Sequence, residues 1–305
     1  MENPLVSIIV VTYNSEKYVL ETLESAKAQT YRNIELIITD DCSTDHTVEI
    51  CRNWLIENKH HFGNAVIITA EKNTGIAPNC NRGLYASKGQ WINFIAGDDM
   101  LYKNRIQECI KTVRENSSIK ILFSNVAING NLSAKTQTQE PFFSMLPQKQ
   151  YRELLKGNFL PAPALFINRE TILQLNGFNE KYALFEDFPF FLKALRHDIK
   201  LYKIDQQLVY YRIGQDNISR KKRMNFNYQM CVKRFFKDEF LKELWHHRLY
   251  VFFAHYFTEY LLLQLVSLNI IKFRSTYDFF LRWFSILRWV NRVKKVKYLF
   301  ATSDE

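Results

Sequence analysis

Short apolar runs alternate with longer amphipathic stretches through the first hundred residues. Leu5-Val6-Ser7-Ile8-Ile9-Val10-Val11 is β-branched with no polar alternation, the pattern of a strand covered on both faces in a parallel sheet. Asn14-Ser15 can cap a following helix that runs to about Gln29, in which Val19, Leu23 and Ala26 share one face. Ile34–Ile38, Ala65–Ile68 and Trp91–Ile95 are predicted as further strands, with helices over Val48–Leu55 and Ala77–Ser87 between them. Such repeated strand and helix units predict an α/β fold, an open, mostly parallel twisted sheet with flanking helices. Ligands of such sheets bind beyond the carboxyl ends of the strands. Three polar clusters fall there: Thr12-Tyr13-Asn14, Asp40-Asp41 and Asp98-Asp99.

Further on, Arg105–Glu115 reads as a helix and Ile119–Ser124 as a strand. The weakly patterned stretch from Asn129 to Gln150 is expected to be a long loop, of the kind that often forms lids or binding segments. Ala164–Ile167 returns to strand and Arg169–Leu175 to helix. Phe185-Glu186-Asp187-Phe188 opens an aromatic-rich helix to about Arg196, and two strands are expected near Lys200–Ile204 and Leu208–Arg212. From Arg220 onward the alternation stops and two to four helices are expected, so the chain is divided into a domain at 1–219 and a helical region at 220–305. Leu249–Ile271 is long enough to span a bilayer but contains His255, Glu259 and Gln264, each costly at its centre. A packed or interfacial helix is the better reading. Trp283–Lys295 carries an apolar stripe with a basic, tryptophan-flanked border. It suits a helix lying on an anionic membrane surface, or equally one packed on the protein with its basic face in water.

Composition sharpens this picture in two ways. Nearly half of the 305 residues are apolar, enough for a sizeable core. The net charge of +10 is unevenly placed: residues 1–219 hold 24 basic and 24 acidic side chains, residues 220–305 hold 17 and 7. Any basic nucleic-acid surface would have to lie in the last segment, away from the acidic pair. The five cysteines contain no Cys-x-x-Cys, which argues against a disulfide framework or a zinc knuckle. Met1-Glu2-Asn3-Pro4 has no basic secretory n-region, so a cytoplasmic location is expected and Asn116, Asn131 and Asn217 are read as chance glycosylation triplets.

Several chemistries find no motif. Gly-x-Gly-x-x-Gly after a strand, a Walker lysine loop, His-Glu-x-x-His and Gly-x-Ser-x-Gly are all missing. His60-His61 and His246-His247 stand alone and are read as solvated. What remains is acidic. Asp98 and Asp99 follow a glycine at the end of a strand, where a turn can aim both into one cleft. Two carboxylates about 5 Å apart at an effective dielectric of about 20 repel by roughly 3 kcal/mol, so the pair calls for a cation or hydrogen-bond donors. A solvated turn with two capping aspartates is the plainer alternative.

Taken in order, the motifs resemble the inverting family-2 glycosyltransferases with a GT-A fold. They are Val6–Asn14, Asp40-Asp41-Cys42-Ser43-Thr44-Asp45, Asn73-Thr74-Gly75, Asn81-Arg82-Gly83, Gly97-Asp98-Asp99, Asn176-Gly177-Phe178-Asn179-Glu180, Glu186-Asp187 and Tyr211-Arg212. The resemblance covers roughly residues 4–219. It implies transfer of a sugar from a nucleotide diphosphate sugar, a UDP-sugar in the first instance, to a glycan or lipid-linked acceptor in surface polysaccharide synthesis. It also implies a donor site at Thr12, Tyr13, Asn14, Asp41, Asn73, Asn81 and Asp98. Tyr13 stacks on the base, Asp41 accepts a hydrogen bond from it, and Asp98 holds the ribose. Asp99 is the implied ligand of Mg²⁺ or Mn²⁺ and Asp187 the implied general base, while Glu186 is expected to position the acceptor or support Asp187. Two positions depart from the family pattern. Cys80 stands where an arginine is common, so that its sugar or phosphate contact is lost or passed to Arg82, and Gly214 stands where a histidine ligand often occurs. Metal binding is then expected to rest on Asp99, phosphates and water. Two rival readings stay open, a nucleotidyltransferase and an inactive membrane- or nucleic-acid-binding protein.

Overall fold

The structure is a computed structural model that describes residues 3–129, 131–132, 140–212, 225–268 and 270. These residues fall into two compact units divided at 217/218. The first unit is built on strands β1 (Val6–Thr12), β2 (Ile34–Asp40), β3 (Asn64–Thr69) and β4 (Trp91–Ala96). They pair in parallel in the order β3-β2-β1-β4. Ile8, Ile9, Val10, Leu36, Ile37 and Ile38 are fully buried, as expected of strands covered on both faces. Each contributes about 1.5–3 kcal/mol of burial. The crossover helices are α1 (Val19–Lys27), α2 (Thr47–Asn58) and α3 (Ile76–Ala86). Gly83 lets α3 lie directly against β1, because a Cβ there would overlap Ile9 Cγ2.

Beyond β4 the sheet becomes mixed. Its order continues through β8 (Phe166–Asn168), β6 (Ile121–Ile128), β9 (Leu201–Tyr211) and the short β5 (Met100–Leu101), with β7 (Asn131–Leu132) on β6. β8 is antiparallel to both β4 and β6, and β5 is antiparallel to β9, whereas β6 and β9 are parallel. The open sheet with flanking helices is therefore present, but only its N-terminal half is uniformly parallel. Helix α4 (Arg105–Glu115) follows β5. Arg105 is wholly buried and uses only neutral acceptors among the described residues: Asn93 Oδ1 at 2.6 Å, Ser124 Oγ at 2.8 Å and the Ala164 carbonyl at 2.9 Å. Burial pushes its pKa down. The contacts join β4, β6 and the segment entering β8.

Two sequence expectations are corrected. The stretch expected to be a loop contains α5 (Glu140–Ser144) and α6 (Pro147–Leu154). Helix α6 was obscured because its buried side includes Gln150, whose amide donates to the Phe142 and Leu201 carbonyls and accepts from Leu201 N. The two strands expected at 200–212 are one, β9, which continues through polar Asp205-Gln206-Gln207. The register of β6 shifts on either side of Asn125, and Asn125 Nδ2 donates to Asp205 Oδ1 at 2.6 Å. Helices α7 (Arg169–Gln174) and α8 (Asp187–Arg196) complete the unit.

The second unit contains α9 (Phe226–Phe235), a π-helical turn at Phe236–Phe240, α10 (Leu241–His246) and α11 (Tyr250–Ser267). Asn225 caps α9 by accepting from Tyr228 N. The π turn brings Phe235, Phe236 and Phe240 into mutual contact, with Tyr256 against the last two. Among the described residues no helix is long and apolar enough to cross a membrane. The stripe at 283–295 lies outside the described residues.

Candidate active site

The carboxyl ends of β1, β2 and β4 lie side by side in the sheet. At the end of β1, Thr12 is buried and donates to Asp40 Oδ2 at 2.8 Å. Asp40 also accepts from the backbone N–H and hydroxyl of Ser43. Asn14 adopts φ +50° and its Oδ1 accepts from Thr44 N at 2.8 Å, tying the loop after β1 to the loop after β2. Tyr13, between them, is 40% exposed, so its ring is presented at the surface of the cleft.

Asp41 is 2% exposed and heavily engaged. Its Oδ2 accepts from Thr74 N at 2.9 Å and Gly75 N at 2.7 Å, and its Oδ1 from Thr74 Oγ1 at 2.6 Å, with Arg82 Nη2 at 3.4 Å. An ionised carboxylate offers about four acceptor sites, and four donors are present. Asp41 thus shapes the Asn73-Thr74-Gly75 loop, leaving the exposed Asn73 at its rim. Arg82 is turned toward Asn79 Oδ1 at 2.7 Å and Thr74 Oγ1 at 3.1 Å. Cys80 is itself buried. Its thiol is pushed well up, first by desolvation and then by the charges of Glu186 and Asp41.

Asn81 is placed at a junction. It is 2% exposed; its Nδ2 donates to the Phe178 carbonyl and Glu180 Oε1, both at 2.9 Å, and its Oδ1 accepts from Phe178 N. Gly177, at φ +62°, allows this approach, since a Cβ there would lie 2.5 Å from Asn81 Oδ1. Ala77 N donates to the Ala183 carbonyl, so α3 is stitched at two points to the segment that leads into Glu186 and Asp187. Asp187 begins α8. Its Oδ1 accepts from Phe188 N at 2.7 Å and its Oδ2 from Asn158 Nδ2 at 3.1 Å. Glu186 precedes it as the helix cap residue and is half-buried.

The acidic pair sits where β4 ends. Gly97 N donates to the Val11 carbonyl, and a Cβ at Gly97 would come within 2.9 Å of Thr12 Cγ2 and Ser15 Oγ, so only glycine lets the turn close against β1. Asp99 Oδ1 accepts from the backbone N of Arg212 at 2.9 Å, while Asp99 Oδ2, also buried, has no hydrogen-bond partner among the described residues. Burial and then the charge of Asp98 push Asp99 well up, with Arg212 opposing; burial also raises Asp98. A bare buried carboxylate oxygen beside a second carboxylate is the donor set of a hard divalent cation. Among the described residues no three His, Cys, Asp or Glu side chains gather to hold a metal. The fit is therefore to a cation held by Asp99 and completed by phosphate oxygens and water.

The sequence motifs gave no role to Asn79, Asn158 or Glu21, and Arg212 was visible only as half of a Tyr-Arg pair. Each acquires its place through a partner at least 29 residues away, except the contact of Asn79 with Arg82.

An open α/β sheet with an acidic pair beyond its parallel strand ends defines a nucleotide-binding catalytic fold. The sequence pattern of glycosyl transferase family 2 matches residues 7–174, and the chain belongs to that family and is a glycosyltransferase. It is 30% identical over 218 residues, 72% of this chain and 81% of the relative, to UDP-Glc:alpha-D-GlcNAc-diphosphoundecaprenol beta-1,3-glucosyltransferase WfaP of Escherichia coli. The fold is shared with S. aureus TarS 1-349 in complex with UDP-GlcNAc, at TM-score 0.60 and 20% identity over 75% of this chain; the chain spans 64% of that one. It is likewise shared with the mannosyltransferase PcManGT of Pyrobaculum calidifontis in complex with GDP-Man and Mn2+, at TM-score 0.58 and 17% identity, covering 82% of this chain and 70% of the other.

Proposed function

We propose that the protein transfers a sugar, with inversion, from a nucleotide diphosphate sugar to a hydroxyl of a glycan or lipid-linked acceptor in the synthesis of a bacterial surface polysaccharide. The observation that carries this reading is Asp99, a buried carboxylate with one oxygen bare among the described residues, just beyond the carboxyl end of a parallel strand. UDP is the favoured nucleotide, since WfaP is named for UDP-Glc and TarS is seen with UDP-GlcNAc. Tyr13 would stack on the base through its exposed ring, Asp41 would accept a hydrogen bond from the base while it shapes the 73–75 loop, and Asp98 would hold the ribose. Asn81 supports this reading as the junction to the 176–180 segment.

Asp99 would hold Mg²⁺ or Mn²⁺, which when bound offsets the charge of the departing nucleoside diphosphate. Asp187 serves as general base: its carboxylate takes the proton of the acceptor hydroxyl as that oxygen attacks the anomeric carbon opposite the leaving group. One displacement inverts that carbon, through an oxocarbenium-like transition state. Asn158 and Phe188 N each donate to one Asp187 oxygen and leave lone pairs for the acceptor. The basic 220–305 region suits a peripheral place on the cytoplasmic face of an anionic membrane, where each Lys or Arg contributes about 1 kcal/mol.

A melting screen of nucleotide sugars with Mn²⁺ tests the donor class, because a ligand at 100 times its dissociation constant stabilises by about 2.7 kcal/mol. With the donor so found, Asp187→Asn and Asp99→Ala should each abolish transfer without loss of fold. Full turnover in either variant, or release of pyrophosphate in place of nucleoside diphosphate, would overturn the reading.

A further inference from the structure

Among the described residues, Arg212 is the cation that acts on the acidic pair, and its short ion pair goes to another carboxylate. The guanidinium of Arg212 lies 4.2 Å from the ring centre of Tyr18 on the segment entering α1. Its Nε donates to the Asp98 carbonyl at 3.0 Å, and its Nη2 donates to Glu21 Oε2 at 2.6 Å. Its backbone N–H already sits on Asp99 Oδ1. The positive charge therefore acts on both aspartates, while its short ion pair goes to Glu21, whose side chain is 51% exposed. Asp99 Oδ2 is buried and bare among the described residues. A guanidinium binds a carboxylate most strongly where water is excluded, so Asp99 is the better electrostatic partner and something must keep Arg212 from it.

We propose that Glu21 is a positioning residue that holds the Arg212 guanidinium away from Asp99 and so keeps the pair open to a divalent cation. This rests on Asp99 as the metal ligand. The two cations compete for one oxygen. Arg212 is anchored to the same carboxylate by its backbone N–H on Oδ1, and by Nε to the Asp98 carbonyl, whereas a divalent ion must first shed part of its water. The exposed Glu21 and the ring of Tyr18 bias the guanidinium outward. Removing the Glu21 charge takes away the carboxylate that Nη2 of Arg212 engages, and Arg212 then acts as a tethered inhibitor of metal binding at the acidic pair beside it.

The test is Mn²⁺ binding to the full-length protein, read from the electron paramagnetic resonance of free Mn²⁺ with UDP present, so that no turnover is needed. Melting curves verify the fold of each variant. Glu21→Ala should weaken Mn²⁺ binding by about tenfold, an order set by one charge contact in partly exposed surroundings, and Glu21→Gln should weaken it less. Arg212→Met added to Glu21→Ala should restore the affinity, which general damage to the site would not allow. A wild-type protein that fails to bind Mn²⁺ overturns the metal reading itself. Wild-type binding with an unchanged Glu21→Ala variant, or a loss that Arg212→Met does not reverse, overturns the role of Glu21 alone.

Discussion

Asn158 Nδ2 donates to Asp187 Oδ2 at 3.1 Å, and Asn158 Oδ1 accepts from Leu160 N at 3.1 Å, so the amide is oriented at both ends. Together with Phe188 N on Oδ1, this fixes the plane of the Asp187 carboxylate. Asn158→Ala should lower kcat by about tenfold to a hundredfold with the KM for the donor unchanged, because alignment of the base is lost and donor binding is not. The same variant should leave melting and nucleotide binding unchanged, and an unchanged kcat would assign the Asn158 contact no part in aligning Asp187.

The stitch between α3 and the 176–180 segment predicts a stability effect far from the acidic pair. Asn81→Ala leaves the buried Phe178 N–H and carbonyl without their partner and should cost about 2–4 kcal/mol. Gly177→Ala combines a left-handed backbone with a contact of 2.5 Å to Asn81 Oδ1 and should cost about 2 kcal/mol or more. Urea titrations measure both. The double variant should be less destabilised than the sum, since the two substitutions break one contact.

As the proposed metal ligand, Asp99 would link metal binding to stability. Its folded-state pKa is raised, by burial first and Asp98 second. Its protonated form therefore favours folding, fully at pH values below the ordinary carboxylate range and progressively less as pH rises through the raised value. Asp99→Asn mimics that protonated form. In metal-free buffer at neutral pH it should melt above wild type, and the gap should close as pH falls toward about 4. The same variant should lose Mn²⁺ binding. A lower melting temperature at neutral pH would contradict the burial of an ionised group.

Arg105 makes the opposite case, a buried charge whose hydrogen bonds are filled. Arg105→Met should destabilise by about 3–5 kcal/mol, because Asn93 Oδ1, Ser124 Oγ and the Ala164 carbonyl lose a common donor. Hydrogen exchange should show the loss first at β8 and the segment before it, where Ala164 and Phe166 meet β6. Uniform exchange across the unit would assign Arg105 no local role.

Periodicity along the chain was enough to place β1, β2 and β4 within one or two residues, because strands buried on both faces must be apolar throughout, and the short apolar run of β3 placed that half-exposed edge strand as closely. It also put Asp98-Asp99 at a strand end and Tyr13 and Asp41 at the neighbouring ends. The uses of those side chains were not legible, because they depend on pairings across the sheet. Met100 pairs with Tyr210 in the antiparallel register of β5 and β9, which brings Arg212 opposite Asp98 across 114 positions of chain. Asn81 meets Phe178 across 97 positions. No local pattern records such contacts, and Gln150 shows why: a polar residue on the buried side of a helix looks like loop until its partners on β9 are known. The amino-acid sequence thus determined which residues cluster at the strand ends, through the alternation that builds the sheet. Only the tertiary structure decided which carboxylates are engaged by internal donors, as at Asp41, and which keep an oxygen bare among the described residues, as at Asp99, since that follows from the donors that pairing across the sheet brings within reach.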